Sequence, residues 1–154
     1  MRATELLEII RNELKDYPIE YLRNKATDER YTDPLVKKLA KYNSEVYDEI
    51  YSSEPEKDFE IKDGVITKFK ADIDYYFETY AGGDIETREF TKYLSLYLAL
   101  IAKRPLHPFS DDKKDEVYRL DDSYYCKGRI KYINDKNSLC RYCVCQNAGY
   151  FTMF

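Results

Sequence analysis

Residues 86–102 read ETREFTKYLSLYLALIA, and the pattern within them decides the fold. Phe90, Leu94, Tyr97 and Ile101 recur at spacings of four, three and four, the period of one α-helical stripe, while Tyr93, Leu98 and Leu100 widen it. A surface helix needs only a narrow apolar stripe, so one this wide predicts the central helix of a bundle. Upstream, Gly82-Gly83 offers a left-handed terminus to a helix that starts near Asp63 and turns Ile66, Phe69, Ile73, Tyr76 and Tyr80 inward. Before that, Asp33-Pro34 joins an N-cap to a proline at the first helical position, and Leu35, Leu39, Tyr42, Val46 and Ile50 follow on one face. Leu6, Leu7, Ile10, Leu14 and Tyr17 form the first stripe; Pro18 ends it or starts a short second helix through Leu22. The fold class expected is mainly α, a bundle of about four to five helices.

Downstream the pattern changes. Pro105 and Pro108 end the helical part, and from Arg104 onward the helical period disappears. Val117–Cys126 and Arg129–Ile133 are rich in β-formers, Asn134-Asp135-Lys136-Asn137 reads as a turn, and Ser138 can cap a short helix ending at Gly149. With no internal repeat or long linker, residues 1–154 form one expected domain: a helical part, 1–103, and an irregular or β-hairpin tail module, 104–154, packed on it as an annex.

A chain of 154 residues can bury a core of its own, since folding at this size removes roughly 68–70% of the unfolded surface from water. Apolar residues at 44% and charged ones at 35% place it among globular rather than disordered chains. The 17 tyrosines, with no tryptophan, suit helix flanks where a ring is buried and its hydroxyl stays wet. Charges interrupt MRATELLEIIRNELKDY every two or three residues, so no secretory signal is expected there. No apolar run approaches the roughly 20 residues that span a bilayer. The location expected is cytoplasmic, with no membrane partner, and there clustered cysteines act as ligands or redox groups rather than structural disulfides.

Chemistry concentrates in the tail. Cys126, Cys140, Cys143 and Cys145 fall within the last 29 residues, and the single histidine, His107, lies just upstream between prolines. Thiolate and neutral imidazole are the ligands of a soft or borderline metal. On a helix beginning after Ser138, at about 100° per residue, Cys140 and Cys143 share a face and Cys145 turns away from both. Cys140 then sits in the first turn, where the helix dipole favours a thiolate. A hairpin running from Cys126 into such a helix has the shape of the second half of a treble-clef zinc finger. His107 and Cys126 take the place of the missing first knuckle, Pro108 stiffening the loop that presents His107.

The candidate metal ligands are therefore His107, Cys126, Cys140 and Cys143, and the cofactor expected is zinc, with an iron–sulfur cluster on the four cysteines as the alternative. Between Cys126 and Cys145 five basic residues face one acid, a local net charge of +4 against −8 for the remainder, which can neutralise a three-thiolate site. Buried cysteines without metal and a reactive thiol are the other readings of the same residues.

Several classes are excluded. The glycines, at 64, 82, 83, 128 and 149, form neither a phosphate-binding loop nor a dinucleotide fingerprint. The sole histidine is off the helices, against a di-iron carboxylate bundle. Phe109 and Leu139 stand where the zinc deaminase pattern needs glutamate and proline. The basic stretch carries Tyr124, Tyr125, Tyr132 and Tyr142 around it, yet the chain is acidic, so a protein partner is favoured over nucleic acid.

At Pro105-Leu106-His107-Pro108, Tyr124-Tyr125-Cys126 and Cys140-Arg141-Tyr142-Cys143 followed by Gln146, the sequence resembles domain-of-unknown-function family 2115, a group of uncharacterised methanogen proteins. The resemblance is best over 104–147. It implies an archaeal cytosolic protein and no particular activity. The family's tail pattern maps onto His107, Cys126, Cys140 and Cys143 with no requirement at Cys145, and Ser110–Lys114 departs from a glycine-rich loop expected there. The function expected is a binding or scaffold protein with a Cys₃His structural zinc site. Alternatives are an iron–sulfur or thiol-based redox protein, or a metal-dependent enzyme using the His107 and Cys126 region.

Overall fold

A computed structural model describes residues 1–55, 57–81, 84–129 and 139–147. At its centre is α5 (Ile85–Leu96), whose N-terminus is fixed by the Asp84 carboxylate accepting the Thr87 N–H at 2.6 Å. Every residue from Lys92 to Leu98 is buried, so the helix is covered all round. It does not end as an α-helix. Residues Tyr97–Ala102 form a π-helical turn, closed by Lys103 in the left-handed region at φ 55°. The wider turn shifts the side-chain phase, which leaves Ile101 half-buried although the α period puts it on the main stripe.

Around α5 pack α1 (Ala3–Leu14), α3 (Pro34–Ser52) and α4 (Asp63–Tyr76). Leu6, Leu7, Ile10 and Leu14 of α1 join Ile66, Phe69 and Ile73 of α4 in one apolar cluster with Phe90, Leu94 and Leu98. Each such side chain contributes about 1.5–3 kcal/mol when fully buried. Just beyond α1, the Tyr17 ring stacks on Phe90 with centroids 3.9 Å apart. The short helix α2 (Ile19–Thr27) lies on α3 and has no buried residue. A π-helical turn, Phe77–Ala81, extends α4; the Tyr80 side chain and the expected Gly82-Gly83 terminus lie outside the described residues.

The stripe on α3 is only half used by the core. Asp33 caps it at the Leu35 N–H as expected, and Val46 and Ile50 are buried, but Leu35 is 73% exposed and Leu39 is 37% exposed. The first half of α3 has α2 beside it and runs past the cluster, so its stripe meets a cavity and solvent instead.

After Lys103 the chain forms a hairpin of β1 (Val117–Leu120) and β2 (Ser123–Cys126), antiparallel, with Val117 opposite Cys126. A two-residue strand, β3 (Gln146–Asn147), pairs with β2 in parallel, giving the order β1-β2-β3. The helix expected from Ser138 to Gly149 is absent over its described part. Leu139–Tyr142 form a single 3₁₀ turn, and Gln146–Asn147 give their backbone bonds to β2. Cysteine, tyrosine and valine are middling helix formers, so pairing with a ready strand prevails. Strand Arg129–Ile133 beyond Arg129, the 134–137 turn, Ser138 and Gly149 lie outside the described residues.

The tail is joined to the helices by shared apolar and polar contacts. Leu106, Leu139 and Tyr142 pack on the helical core, and Phe109 sits edge-on to both Tyr42 and Tyr124. Glu49 of α3 accepts hydrogen bonds from the Tyr97 hydroxyl, at 2.5 Å, and from Arg104. Burial, reinforced by the Glu49 charge, pushes the Tyr97 phenol well up, so it stays a donor. No helix among the described residues is long and apolar enough to cross a membrane.

Candidate metal centre

Between α3, α5 and the tail lies a cavity of about 680 Å³. His107, Cys126, Cys140, Cys143 and Cys145 all line it, although they come from three separate stretches of the tail. His107 is on the loop after Pro105, itself fully buried, with its carbonyl accepting from Tyr42. Cys126 ends β2, Cys140 lies in the 3₁₀ turn, Cys143 follows that turn, and Cys145 is 3% exposed just before β3.

The 3₁₀ turn is fastened from both sides. Arg129 donates from Nη1 to the carbonyls of Cys140 and Cys143 at 2.5 and 2.9 Å, and the Cys143 N–H returns to the Cys140 carbonyl at 3.2 Å. On the α4 side, Asp72 accepts from Lys68 at 2.9 Å, from Arg141 at 3.0 Å and from the Tyr142 hydroxyl. The Tyr142 ring meets Phe69 with centroids 4.1 Å apart. Burial works to raise the Asp72 carboxyl, but the hydrogen bonds from Tyr142 and Lys68 outweigh it and hold the group below its usual range.

The sulfurs are not equivalent. The Cys145 thiol donates a hydrogen bond to the Cys143 sulfur, which also accepts the backbone N–H groups of Cys145 and Leu106 and is favoured by the His107 charge. Against the opposing effect of burial these bring Cys143 down to about 6, while the same hydrogen bond and burial push Cys145 far up. The two sulfurs titrate together, the first proton leaving more easily and the second with more difficulty than from an isolated thiol. Burial also raises Cys126, opposed by the N–H groups of Gly128 and Arg129. A Cβ on Gly128 would lie 2.8 Å from the Glu116 carboxylate, so glycine there leaves room for that side chain.

The donor chemistry of this set suits a zinc ion, yet among the described residues no group of three or more histidine, cysteine, aspartate or glutamate side chains is arranged to hold a metal. His107 makes no hydrogen bond among the described residues, so a second-nitrogen partner of the kind that orients metal-bound histidines is not in place. The helical phase that separated Cys145 from Cys140 and Cys143 also fails, because the segment is not a helix; Cys145 is in contact with Cys143.

Sequence reasoning missed the opposite wall, formed by Leu39 and Asn43 of α3 with Thr91, Leu94, Ser95 and Leu98 of α5. Its signal was Thr91 and Ser95, two small polar residues four apart and therefore on one face of that helix.

A mainly helical protein with a cysteine-lined cavity beneath a small sheet is the class this structure defines. The family model described as an uncharacterised protein conserved in archaea, domain-of-unknown-function family 2115, matches residues 2–148, and the chain belongs to that family. It is 30% identical to a UPF0305 protein of Methanocaldococcus jannaschii over 162 residues, 96% of this chain and 97% of the relative. No solved structure matches the chain.

Proposed function

We propose that this is a cytoplasmic binding or scaffold protein whose tail is organised by one zinc ion, held by His107, Cys126, Cys140 and Cys143. The observation that carries the reading is the convergence of these four side chains on one cavity from distant points of the tail. The four side chains do not form a ready metal-holding group among the described residues, so the reading rests on their shared lining of the cavity. Cys145 then serves as an S–H donor to the Cys143 sulfur, the outer-shell contact that a charged thiolate site needs. Protein is the partner class proposed, because the acidic chain disfavours nucleic acid.

The test is hydrogen exchange with and without a chelator at neutral pH. A closed metal site contributes its binding energy to local folding, so chelation should strip protection from residue 105 onward while α1, α4 and α5 keep theirs. Unchanged exchange throughout would refute the reading. A brown protein with charge-transfer absorption would replace zinc by an iron–sulfur cluster.

The Cys143 and Cys145 contact favours a second reading, a redox dithiol. The Cys143 thiolate would attack a low-molecular-weight disulfide and release one thiol. Cys145 would then attack the mixed disulfide, giving its proton to the second departing thiol and leaving a Cys143–Cys145 disulfide. A mass loss of two hydrogens after treatment with oxidised glutathione, absent in Cys145→Ser, would establish it; persistence of two free thiols would exclude it.

A further inference from the structure

We propose that the cavity also binds an uncharged, largely apolar small molecule bearing a hydrogen-bonding group, seated against Asn43, Thr91 and Ser95. A volume of about 680 Å³ far exceeds what a single ion occupies and falls within the roughly 300–1,000 Å³ of organic ligand sites. Leu94 and Leu98 make its α5 wall apolar, while Asn43, Thr91 and Ser95 add an amide and two hydroxyls. Among the described residues none of these three side chains has a hydrogen-bond partner, although Ser95 is only 8% exposed. None of them has a fully buried unsatisfied atom, so these groups are open to a ligand's polar group, which can bond them in exchange for water.

Charge narrows the ligand further. Among the described lining residues there is no carboxylate, and the only permanent cation, Arg129, is committed to the carbonyls of Cys140 and Cys143. The α3 and α5 wall itself carries no charged side chain, so an ionic group seated there would lose hydration without gaining a counter-charge beside it, whereas a neutral amide, alcohol or carbonyl group would not. The inference concerns the α3 and α5 wall, so it goes beyond the metal reading and does not depend on the ion.

Two probes of equal shape test it: 4-phenylbutanamide and 4-phenylbutyrate, titrated into the full-length protein and followed by ¹⁵N–¹H NMR, with zinc content measured on the same sample. The amide should shift the Asn43, Thr91 and Ser95 resonances saturably, and the carboxylate should bind at least about fivefold more weakly. The combined Thr91→Val and Ser95→Ala variant should lose about fivefold in amide affinity, the effect of one unmade hydrogen bond. Asn43→Leu provides an independent variant should that one fold poorly. No saturable shift at these residues, equal binding of both probes, or affinity unchanged in the variants would overturn the inference. Zinc content unaffected beside a failed titration would sink this inference alone; amide binding without zinc would sink only the metal reading.

Discussion

The helical part and the tail of this protein are held together by different physics. In α1, α4 and α5 an apolar side chain recurs at each turn, and burial of Leu6, Ile10, Phe69 and Ile73 fixes the helices against one another, with buried Lys92 of α5 paired to Asp74 of α4 at 2.8 Å beside that core. From Arg104 onward no such period exists. The tail has a smaller apolar contact, through Leu106, Leu139 and Tyr142, and relies more on a few directional contacts: the Tyr42 hydroxyl on the Pro105 carbonyl, Arg129 on two carbonyls of the cysteine turn, and Asp72 on Tyr142 and Arg141. Area-driven packing tolerates small displacements, whereas each of these bonds fails as a unit. The tail is therefore the region whose order a ligand can control.

The contrast predicts a graded series. Phe69→Ala strikes both regions at once, because the ring lies in the core and also meets Tyr142, and urea unfolding should show a loss of about 3–5 kcal/mol. A loss confined to the tail's exchange protection would contradict the shared core. Asp72→Asn should cost about 1–2 kcal/mol, felt mainly as faster exchange in 139–147. Asp72 lies below its usual range in the folded protein, so its contribution is fully present above the unfolded value near pH 3.9 and is lost as pH falls through the folded one. Below about pH 4 the wild-type tail should loosen, whereas the variant has no carboxyl at 72 to protonate, so the gap between them should narrow. An identical acid response in both proteins would remove the Asp72 contact from the account. Leu35→Lys lies at the other extreme: an exposed residue on a well-formed helix, expected to change stability by less than about 0.5 kcal/mol. A larger loss would mean that the first half of the α3 stripe is covered by something in solution.

The same contrast explains what the amino-acid pattern discloses. Helices α1, α3, α4 and α5 are legible because each carries its apolar stripe and, at Asp33, a capping carboxylate. The π-helical turns are not, since they depend on how neighbouring elements pack and leave no period of their own. In the tail the β-formers of Val117–Cys126 disclose strand, but neither the reversal within that run, where Asp121 takes a positive φ, nor the path of residues 139–147 is legible. A helix there satisfies local propensity as well as a 3₁₀ turn does; the parallel pairing of Tyr125 with Gln146 decides, and that contact spans 21 residues of sequence. Cysteine and histidine positions could be read as a cluster, while the cavity they share required knowing where α3 and α5 pass.

Zinc stoichiometry in natively purified protein, measured by elemental analysis against chain concentration, tests the central claim most directly. The account predicts about one zinc per chain in the wild type and in Cys145→Ser, with occupancy largely lost in Cys126→Ser, Cys140→Ser, Cys143→Ser and His107→Ala. A wild-type protein that carries no zinc, or a Cys145→Ser variant that loses it while His107→Ala retains it, would contradict the account.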